Sequence, residues 1–307
     1  MGLKGKVKYL AEFAALRFAL GFFGAMPVDR ASAVGGWLGR TVGPKVGVSK
    51  KARRNIGLAM PGLSPAEADR IITGMWDNLG RTIAEYAHLP VFARPEERHR
   101  IEVVHAGLLR SIAASGNGGV IVSGHFANWE MLPAVMQFEG LDGGGVYRHA
   151  NNPYVNDWLV RLRQKITQAV QIPKGAAGAR LIVRLMMEKK FVAMLTDQKL
   201  NDGIETTFFG LRAMTTGAPA GLATRYDDPI IPVFIERLEG AHFRVTVYDP
   251  IVAQRDADPA AEVLRITQEI NDFLEARIRE RPEQWLWLHD RWSEKQWTQR
   301  KKLAQRG

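Results

Sequence analysis

The chain of 307 residues is 46% hydrophobic, which is ordinary for a globular protein and excludes both a disordered chain and a protein with several membrane spans. It contains no cysteine, which excludes disulfides, thiolate metal sites and a cysteine nucleophile. The formal net charge of +10 indicates an acidic partner, but not a nucleic acid, because neither zinc-finger spacing nor an aromatic RNA-binding signature is present.

Residues 1–27 are a basic and apolar N-terminal segment. Three lysines precede an apolar stretch that Glu12 and Arg17 interrupt, so the segment is too short and too charged to predict a membrane span. It favours an amphipathic helix that lies on the cytoplasmic face of a membrane. A helix docked on the rest of the protein is the alternative. Residues 28–307 are predicted to form the second domain.

Helix and strand patterns alternate along this second domain. A capping box at 64–67 and apolar residues at helical spacing predict a helix as far as Tyr86. Ile230–Arg237 and residues 242–249 are predicted as a hairpin, and residues 203–217 as a loop. Short apolar runs predict strands at 101–104, 120–122, 145–148 and 191–195. The sequence therefore predicts an α/β fold with a mixed, mainly parallel central sheet flanked by helices.

The strand at 120–122 leads into the strongest candidate for a catalytic group. His125 follows this strand, at the end where α/β sheets place their ligand crevices, and Asn128 is a suitable N-cap for the next helix. Glu130 lies in the first turn of that helix, and we predict that its carboxylate holds the imidazole tautomer. The helix N-terminus favours a neutral ring, so His125 is predicted to act as a base. The alternative is a structural, hydrogen-bonded histidine.

Polar side chains also end the two following strands. Tyr147 and Arg148 close one of them, and Asp197 and Gln198 come directly after the other. Because the carboxyl ends of parallel strands meet at one edge of a sheet, we expect these side chains to lie beside His125.

Two arginines on the helix that begins at Asn152 are further candidates. Arg161 and Arg163 are two residues apart, so they cannot share one face of a helix. Only one of them is expected to reach the site, and we favour Arg163. No metal is predicted, because the seven histidines are scattered and none shows ligand spacing.

Several blocks of the sequence resemble a known family in their order along the chain. The spacing of His125 and Glu130 alone resembles the signature of glycerolipid-type acyltransferases. The blocks are Gly-His-Phe-Ala-Asn-Trp-Glu at 124–130, Val-Tyr-Arg at 146–148 with Asn-Pro at 152–153, Asp-Gln at 197–198 before Phe-Phe-Gly at 208–210, and Pro-Glu-Gln-Trp-Leu-Trp-Leu-His at 282–289. Together they resemble the late acyltransferases of lipid A biosynthesis, the lauroyl/myristoyl type of Gram-negative bacteria, over nearly the whole chain.

The resemblance implies a glycerolipid-acyltransferase-like fold and an acyltransferase domain at 28–307, on the cytoplasmic side of the inner membrane. The enzyme would move a fatty acyl group from acyl carrier protein to the 3-hydroxyl of an acyl chain on an anionic lipid A precursor, in lipopolysaccharide biosynthesis. Acyl carrier protein would be a cosubstrate, and no cofactor is implied. The basic composition suits both the acidic carrier and the anionic acceptor.

Individual roles carry over to matching positions. His125 and Glu130 fall on the catalytic dyad of the family, and Asp197 on a supporting polar residue. The arginine of the second block falls on Arg163 when counted from the tyrosine, and on Arg161 when the Arg-Leu-Arg triplet is matched instead.

The chemistry of these residues allows direct transfer. Neutral His125 would take the proton of the hydroxyl as it attacks the thioester, and an arginine or backbone N–H groups would stabilise the oxyanion. Ser123 is a conceivable nucleophile, but no Gly-x-Ser-x-Gly elbow is present. Two alternatives remain: a thioesterase that uses water in place of the lipid hydroxyl, and a non-catalytic protein that binds a membrane surface.

Overall fold

The computed structural model describes residues 3–166 and 169–298, and over these residues the chain forms eleven α-helices with short 3₁₀ turns between some of them. The helices are α1 Leu3–Gly24, α2 Val28–Val42, α3 Ser49–Ala59, α4 Pro65–Glu85, α5 Leu89–Phe92, α6 Ala106–Ala114, α7 Met131–Phe138, α8 Pro153–Arg163, α9 Ala176–Met187, α10 Ala218–Tyr226 and α11 Pro259–Glu280. The strands are β1 Ile101–Val104, β2 Gly119–Ser123, β3 Gly143–Tyr147, β4 Val170–Pro173, β5 Phe191–Leu195, β6 Ile204–Phe208, β7 Leu211–Thr215, β8 Ile230–Arg237 and β9 Phe243–Val247. The capping box predicted for α4 is present, with reciprocal bonds between Ser64 and Glu67.

Seven strands of the described chain form one sheet, in the order β1-β9-β8-β2-β5-β3-β4. Neighbouring strands are parallel except β8 and β9, which form the predicted hairpin. The predicted α/β fold with a mixed, mainly parallel sheet is therefore confirmed. β4 was not predicted, because this four-residue edge strand has few apolar residues and ends in Pro173, a residue that sheets tolerate only at edges and ends.

Both faces of the central sheet are covered, as a parallel sheet requires. Val120 and Val122 of β2 pack into one core with α9, α10, α11 and the tryptophans that follow α11. Ile121 lies between them in sequence and packs on the opposite face, with α6 and α7. This burial on both sides explains why the run at 120–122 is wholly apolar.

The segment at 203–217 was predicted as a loop, but it contains the antiparallel pair β6 and β7. The turn between these strands is Phe209-Gly210, and both residues have positive φ angles, 54° and 68°, as a two-residue hairpin turn requires. The inner face of the hairpin binds α11, where the Asn271 amide donates to the Thr206 and Thr215 hydroxyls. The strands form because α11 covers this face, a contact that the local pattern does not reveal.

The N-terminal helix α1 has apolar side chains on both of its sides. Leu20 and Phe23 are buried, and Phe13 contacts the ring of Tyr154 in α8. On the outer side Phe18 is 82% exposed, and other apolar residues are exposed beside it. The amphipathic helix predicted from the sequence is therefore not found, because the protein-facing side is apolar as well. No helix in residues 3–166 and 169–298 has the length and apolar character that a membrane crossing needs. The division at residue 27 stays a prediction.

Candidate active site

The carboxyl ends of β2 and β5 bring the main candidates together. The two strands are adjacent and parallel, with Ser123 paired to Leu195 in register. His125 follows β2 by two residues and Asp197 follows β5 by two residues, so both lie at the same edge of the sheet. The two side chains therefore lie close together, and their role as one functional site stays a prediction.

His125 is held by the carboxylate of Asp197. Its ring Nδ1 lies 2.8 Å from one Asp197 oxygen, and its backbone N–H donates to the other oxygen at 2.8 Å. The indole N–H of Trp285 donates to Asp197 at 2.7 Å. Burial raises the pKa of the Asp197 carboxyl, but its interaction with the His125 ring and these hydrogen bonds outweigh it, so the pKa lies below its ordinary value. A charged Asp197 accepts the Nδ1 proton and leaves a lone pair on Nε2.

Glu130 does not make the ring contact predicted for it. Its carboxylate accepts a 2.6 Å hydrogen bond from the Tyr86 hydroxyl and two from the Arg163 guanidinium, one of them 2.9 Å from Nε. These donors, one directly after α4 and one on α8, turn the carboxylate away from the ring, and Asp197 reaches Nδ1 from the neighbouring strand end. Glu130 still lines the same cavity as His125, so its charge would stabilise a protonated His125 ring. Its assignment to the catalytic machinery stays a prediction.

The pair of Glu130 and Arg163 is buried, with side chains 4% and 15% exposed. Burial raises the pKa of the Glu130 carboxyl, but the Arg163 charge outweighs it and the pKa is lowered. Burial also raises the pKa of the Tyr86 hydroxyl, with the Glu130 charge acting in the same direction. The structure places Arg163 in the site, with its guanidinium over the Tyr147 ring, and leaves Arg161 exposed on the other side of α8.

The turn between His125 and Glu130 is fixed by contacts from distant parts of the chain. Ala127 has a positive φ of 43°, which is unfavourable for a residue with a side chain. Its carbonyl accepts hydrogen bonds from Asn78 and Thr82 of α4, both 3.0 Å long. Its N–H donates to the Gln284 carbonyl at 2.8 Å. These bonds hold the conformation that sets the directions of both side chains.

Asn128 was predicted to be the N-cap of the next helix, but it has a different role in the structure. Its side-chain oxygen accepts from the Glu130 N–H at 3.1 Å, while its amide donates to Glu85 at 2.8 Å. Glu85 in turn pairs with Arg237, and both side chains are buried. Helix α7 begins only at Met131, because Asn128 forms a local turn that also ties the loop to this buried ion pair.

Gln198 and His289 complete the polar edge of the site. The Gln198 amide nitrogen lies 3.1 Å from Nε2 of His125 and 2.6 Å from Nε2 of His289. His289 was not predicted as a site residue, although it ends the fourth block of the resemblance. No strand precedes it, so only the tertiary contacts of that block bring it here, including a 3.1 Å bond from the Leu286 N–H to the His125 carbonyl.

A cavity of about 290 Å³ opens at His125 and extends between α7 and the sheet. Its floor is a row across three strands, in which Ala193, Gly145 and Gln171 are paired in register. Leu132 and Met136 of α7 lie on the opposite wall. The polar residues around it are His125, Glu130, Tyr147, Arg148, Arg163, Gln171, Lys174, Gln198 and His289. The site therefore combines a base and several cations with an apolar slot.

The structure also gives the position of the candidate nucleophile. Ser123 is fully buried, so its hydroxyl does not face the cavity as a nucleophile would. Within the described part of the chain, no group of three or more metal-ligating His, Asp or Glu side chains is found.

Comparison with known protein families gives one match. The model described as bacterial lipid A biosynthesis acyltransferase matches residues 4–294. This range contains the His125 loop, both arginines of α8 and the block that ends at His289. A comparison with curated proteins finds no match.

The buried pair predicts different stabilities for substitutions at the two arginines. Arg163→Gln leaves the Glu130 charge buried without its partner, which should lower the free energy of unfolding by about 3–5 kcal/mol at pH 7. Arg161→Gln is the matched control and should change it by less than about 0.5 kcal/mol. Chemical denaturation measures both, and equal losses would contradict the observed pairing.

The same pair predicts a dependence on pH. Because the folded pKa of Glu130 is lowered, the pair contributes fully above its ordinary value of 4.5 and less as the pH falls below it. The stability difference between wild type and Arg163→Gln should therefore narrow in that range. Adding Glu130→Gln to Arg163→Gln should recover part of the loss, since no unpaired charge is then buried.

Proposed function

The chain belongs to the bacterial lipid A biosynthesis acyltransferase family, and on that premise we propose that it transfers a fatty acyl group from acyl carrier protein to the 3-hydroxyl of an acyl chain on a lipid A precursor. A lauroyl-type chain is the proposed donor group. The observation that carries the mechanism is the His125 ring, which is held through Nδ1 by a buried carboxylate and faces an apolar cavity with Nε2.

The proposed reaction is a direct attack on the thioester. Nε2 of His125 takes the proton of the hydroxyl as its oxygen forms a bond to the thioester carbon. The tetrahedral intermediate then collapses, the carbon–sulfur bond breaks, and the imidazolium returns the proton to the leaving thiolate. The products are an ester and the free thiol of the carrier. General base catalysis of this kind contributes roughly 10²–10⁴-fold to the rate.

The two carboxylates have separate roles in this proposal. Asp197 orients the ring and stabilises the imidazolium, because it makes the Nδ1 contact. Glu130 holds Arg163 against the cavity wall, and its charge also favours the imidazolium at longer range. Tyr86 and Tyr147 support this pair from either side, through a hydrogen bond and a ring contact.

The cavity suits reactants that are apolar at one end and anionic at the other. The slot between α7 and the floor row would accept the acyl chain. Arg148 and Lys174 line the cavity, and Arg161 is exposed on α8. We propose that these cations attract the acidic carrier protein and the phosphorylated acceptor.

We propose that the protein works at the cytoplasmic face of the inner membrane and that α1 makes the contact. Its outer side exposes Val7, Leu10, Phe18 and Phe22, which lie on one face at helical spacing. Exposed apolar side chains gathered on one side of a helix favour insertion into the lipid interface.

One assay distinguishes the proposed activity from its alternatives. Purified protein is given a series of acyl carrier proteins with a tetra-acylated lipid A precursor, and the products are weighed by mass spectrometry. Transfer gives a precursor heavier by one acyl group. Release of free fatty acid without any heavier lipid would indicate a thioesterase. The absence of both products would indicate a non-catalytic binding protein.

Substitutions at the His125 pair test the mechanism. His125→Ala and Asp197→Asn should each lower kcat by roughly 10²–10⁴-fold. Because the two act as one unit, the double variant should be scarcely worse than His125→Ala. Asp256→Asn, an exposed aspartate, is the matched control and should leave kcat unchanged. Normal turnover in Asp197→Asn would reassign the supporting role to Glu130.

Gly145 is predicted to limit the length of the acyl chain. A Cβ added to Gly145 has no atom within 4 Å, so a larger side chain would extend into the slot. Gly145→Ala and Gly145→Leu should shift the preferred donor to progressively shorter chains. Each methylene excluded from the slot is worth about 0.8 kcal/mol, or roughly fourfold in preference.

The control for this shift is Gly107→Ala, since Gly107 is exposed on α6 and an added Cβ there also meets nothing within 4 Å. Competition among carriers of different chain length, read by mass spectrometry, gives the profile. An unchanged profile in Gly145→Leu would place the acyl chain elsewhere.

The outer face of α1 makes a prediction about membrane binding. Burying one phenylalanine side chain contributes about 1.5–3 kcal/mol, so the double substitution Phe18→Ser with Phe22→Ser should weaken vesicle binding by at least about 100-fold. Val252→Ser with Leu264→Ser removes exposed apolar residues elsewhere and serves as the control. Equal sedimentation of both variants with vesicles would place the membrane contact outside α1.

A further inference from the structure

The amide of Gln198 joins the two histidines of the site. Its nitrogen contacts Nε2 of His125 at 3.1 Å and Nε2 of His289 at 2.6 Å. The same nitrogen lies 3.5 Å from Nδ1 of His125, so it sits over the face of that ring and not on the in-plane lone pair of Nε2. One of its two N–H groups can donate to His289, and the other has no acceptor in the His125 ring. The lone pair of Nε2 stays open, because the proton of that ring is on Nδ1 and is donated to Asp197.

The hydroxyl substrate fits this arrangement. The hydroxyl must hydrogen-bond to the in-plane lone pair of Nε2 to lose its proton, and Gln198 leaves that lone pair open. The second amide N–H, on a nitrogen 3.1 Å from Nε2, is then close to the reacting atoms. A side-chain amide at this distance can stabilise the negative charge that develops on the thioester oxygen.

His289 fixes the direction of this amide. Burial lowers the pKa of His289, and a charge on His125 during the reaction would lower it further, so the ring is neutral and can accept at Nε2. The Asn55 side chain donates to the His289 carbonyl, and the neighbouring Asp290 is paired with Lys51 and Arg54. Contacts from α3 therefore fix the backbone that carries the His289 ring.

Arg163 is less suited to the same task. Two of its guanidinium nitrogens already donate to Glu130, and its charge is balanced by that carboxylate. The Gln198 amide is neutral, so no carboxylate balances it, and its nitrogen lies over the His125 ring.

We propose that Gln198 is the oxyanion donor of the acyl transfer and that His289 is the positioning residue that keeps its amide nitrogen toward the reacting atoms. The inference rests on the proposed function. As the hydroxyl oxygen bonds to the carbonyl carbon, the π electrons of the carbonyl move onto its oxygen and His125 takes the hydroxyl proton. Gln198 donates to that oxygen until the carbon–sulfur bond breaks, the carbonyl re-forms, and the thiolate leaves with the proton from His125.

The test compares kcat and KM of variants at both positions, with denaturation midpoints measured alongside. Gln198→Ala should lower kcat by about 10²–10³-fold with KM nearly unchanged, because the interaction exists only in the transition state. His289→Leu should lower kcat similarly. His289→Gln keeps an acceptor for the Gln198 amide and should recover much of that loss. Gln268→Ala, a glutamine on α11 outside the site, is the matched control.

Several outcomes would overturn the proposal. Wild-type kcat in Gln198→Ala, or a loss confined to KM, would exclude Gln198 as the oxyanion donor. Equal kcat losses in His289→Gln and His289→Leu, both folded, would exclude positioning by hydrogen bonding. If His289→Leu does not fold, the Gln198→Ala result decides. Failure of the proposed function is distinct from all of these, because wild-type protein would then give no heavier lipid in the assay.

Discussion

The hydrogen bond between His125 and Asp197 is the interaction on which the rest of the site depends. Asp197 is a buried carboxylate, and a buried charge is stable only when donors surround it. Those donors are the ring and backbone N–H of His125 and the indole of Trp285. The donors come from the end of β2 and from the segment after α11, and Asp197 itself follows the adjacent strand β5. The site therefore exists only when the sheet has its observed order and the C-terminal segment is docked on it.

Two buried ion pairs support the loop that carries His125. They are Glu130 with Arg163 and Glu85 with Arg237. Desolvation offsets most of the attraction in such pairs, so they contribute little net stability. Their main effect is to fix the directions of side chains in the loop after β2. Glu85 holds Asn128, and Arg163 turns the Glu130 carboxylate toward α8. Ala127 has a positive φ, which is locally unfavourable. Long-range contacts therefore impose the single conformation of the loop after β2.

Polar and apolar groups of the site are separated by the geometry of the strands. Groups at the strand ends provide the base, the amide and the cations. The floor row of Ala193 and Gly145, one step back from these ends, carries small residues, and α7 covers it with apolar side chains. A long apolar chain and an anionic head can thus be held at once, with the reactive carbon between them. This arrangement fits the family to which the chain belongs better than a site for a small polar substrate would.

The sequence by itself determined the class of fold, the two central strands, and the positions of the candidate base His125 and its neighbour at the end of the next strand. These follow from local patterns, since apolar runs specify buried strands and parallel strands end at one edge. Only the tertiary structure decided that Asp197 and not Glu130 holds the ring, that Arg163 reaches the site, and that His289 joins it. It also decided the hairpin of β6 and β7 and the two apolar sides of α1. The physical reason is that side-chain partners depend on backbone directions set by contacts far apart in the chain, which residue spacing does not encode.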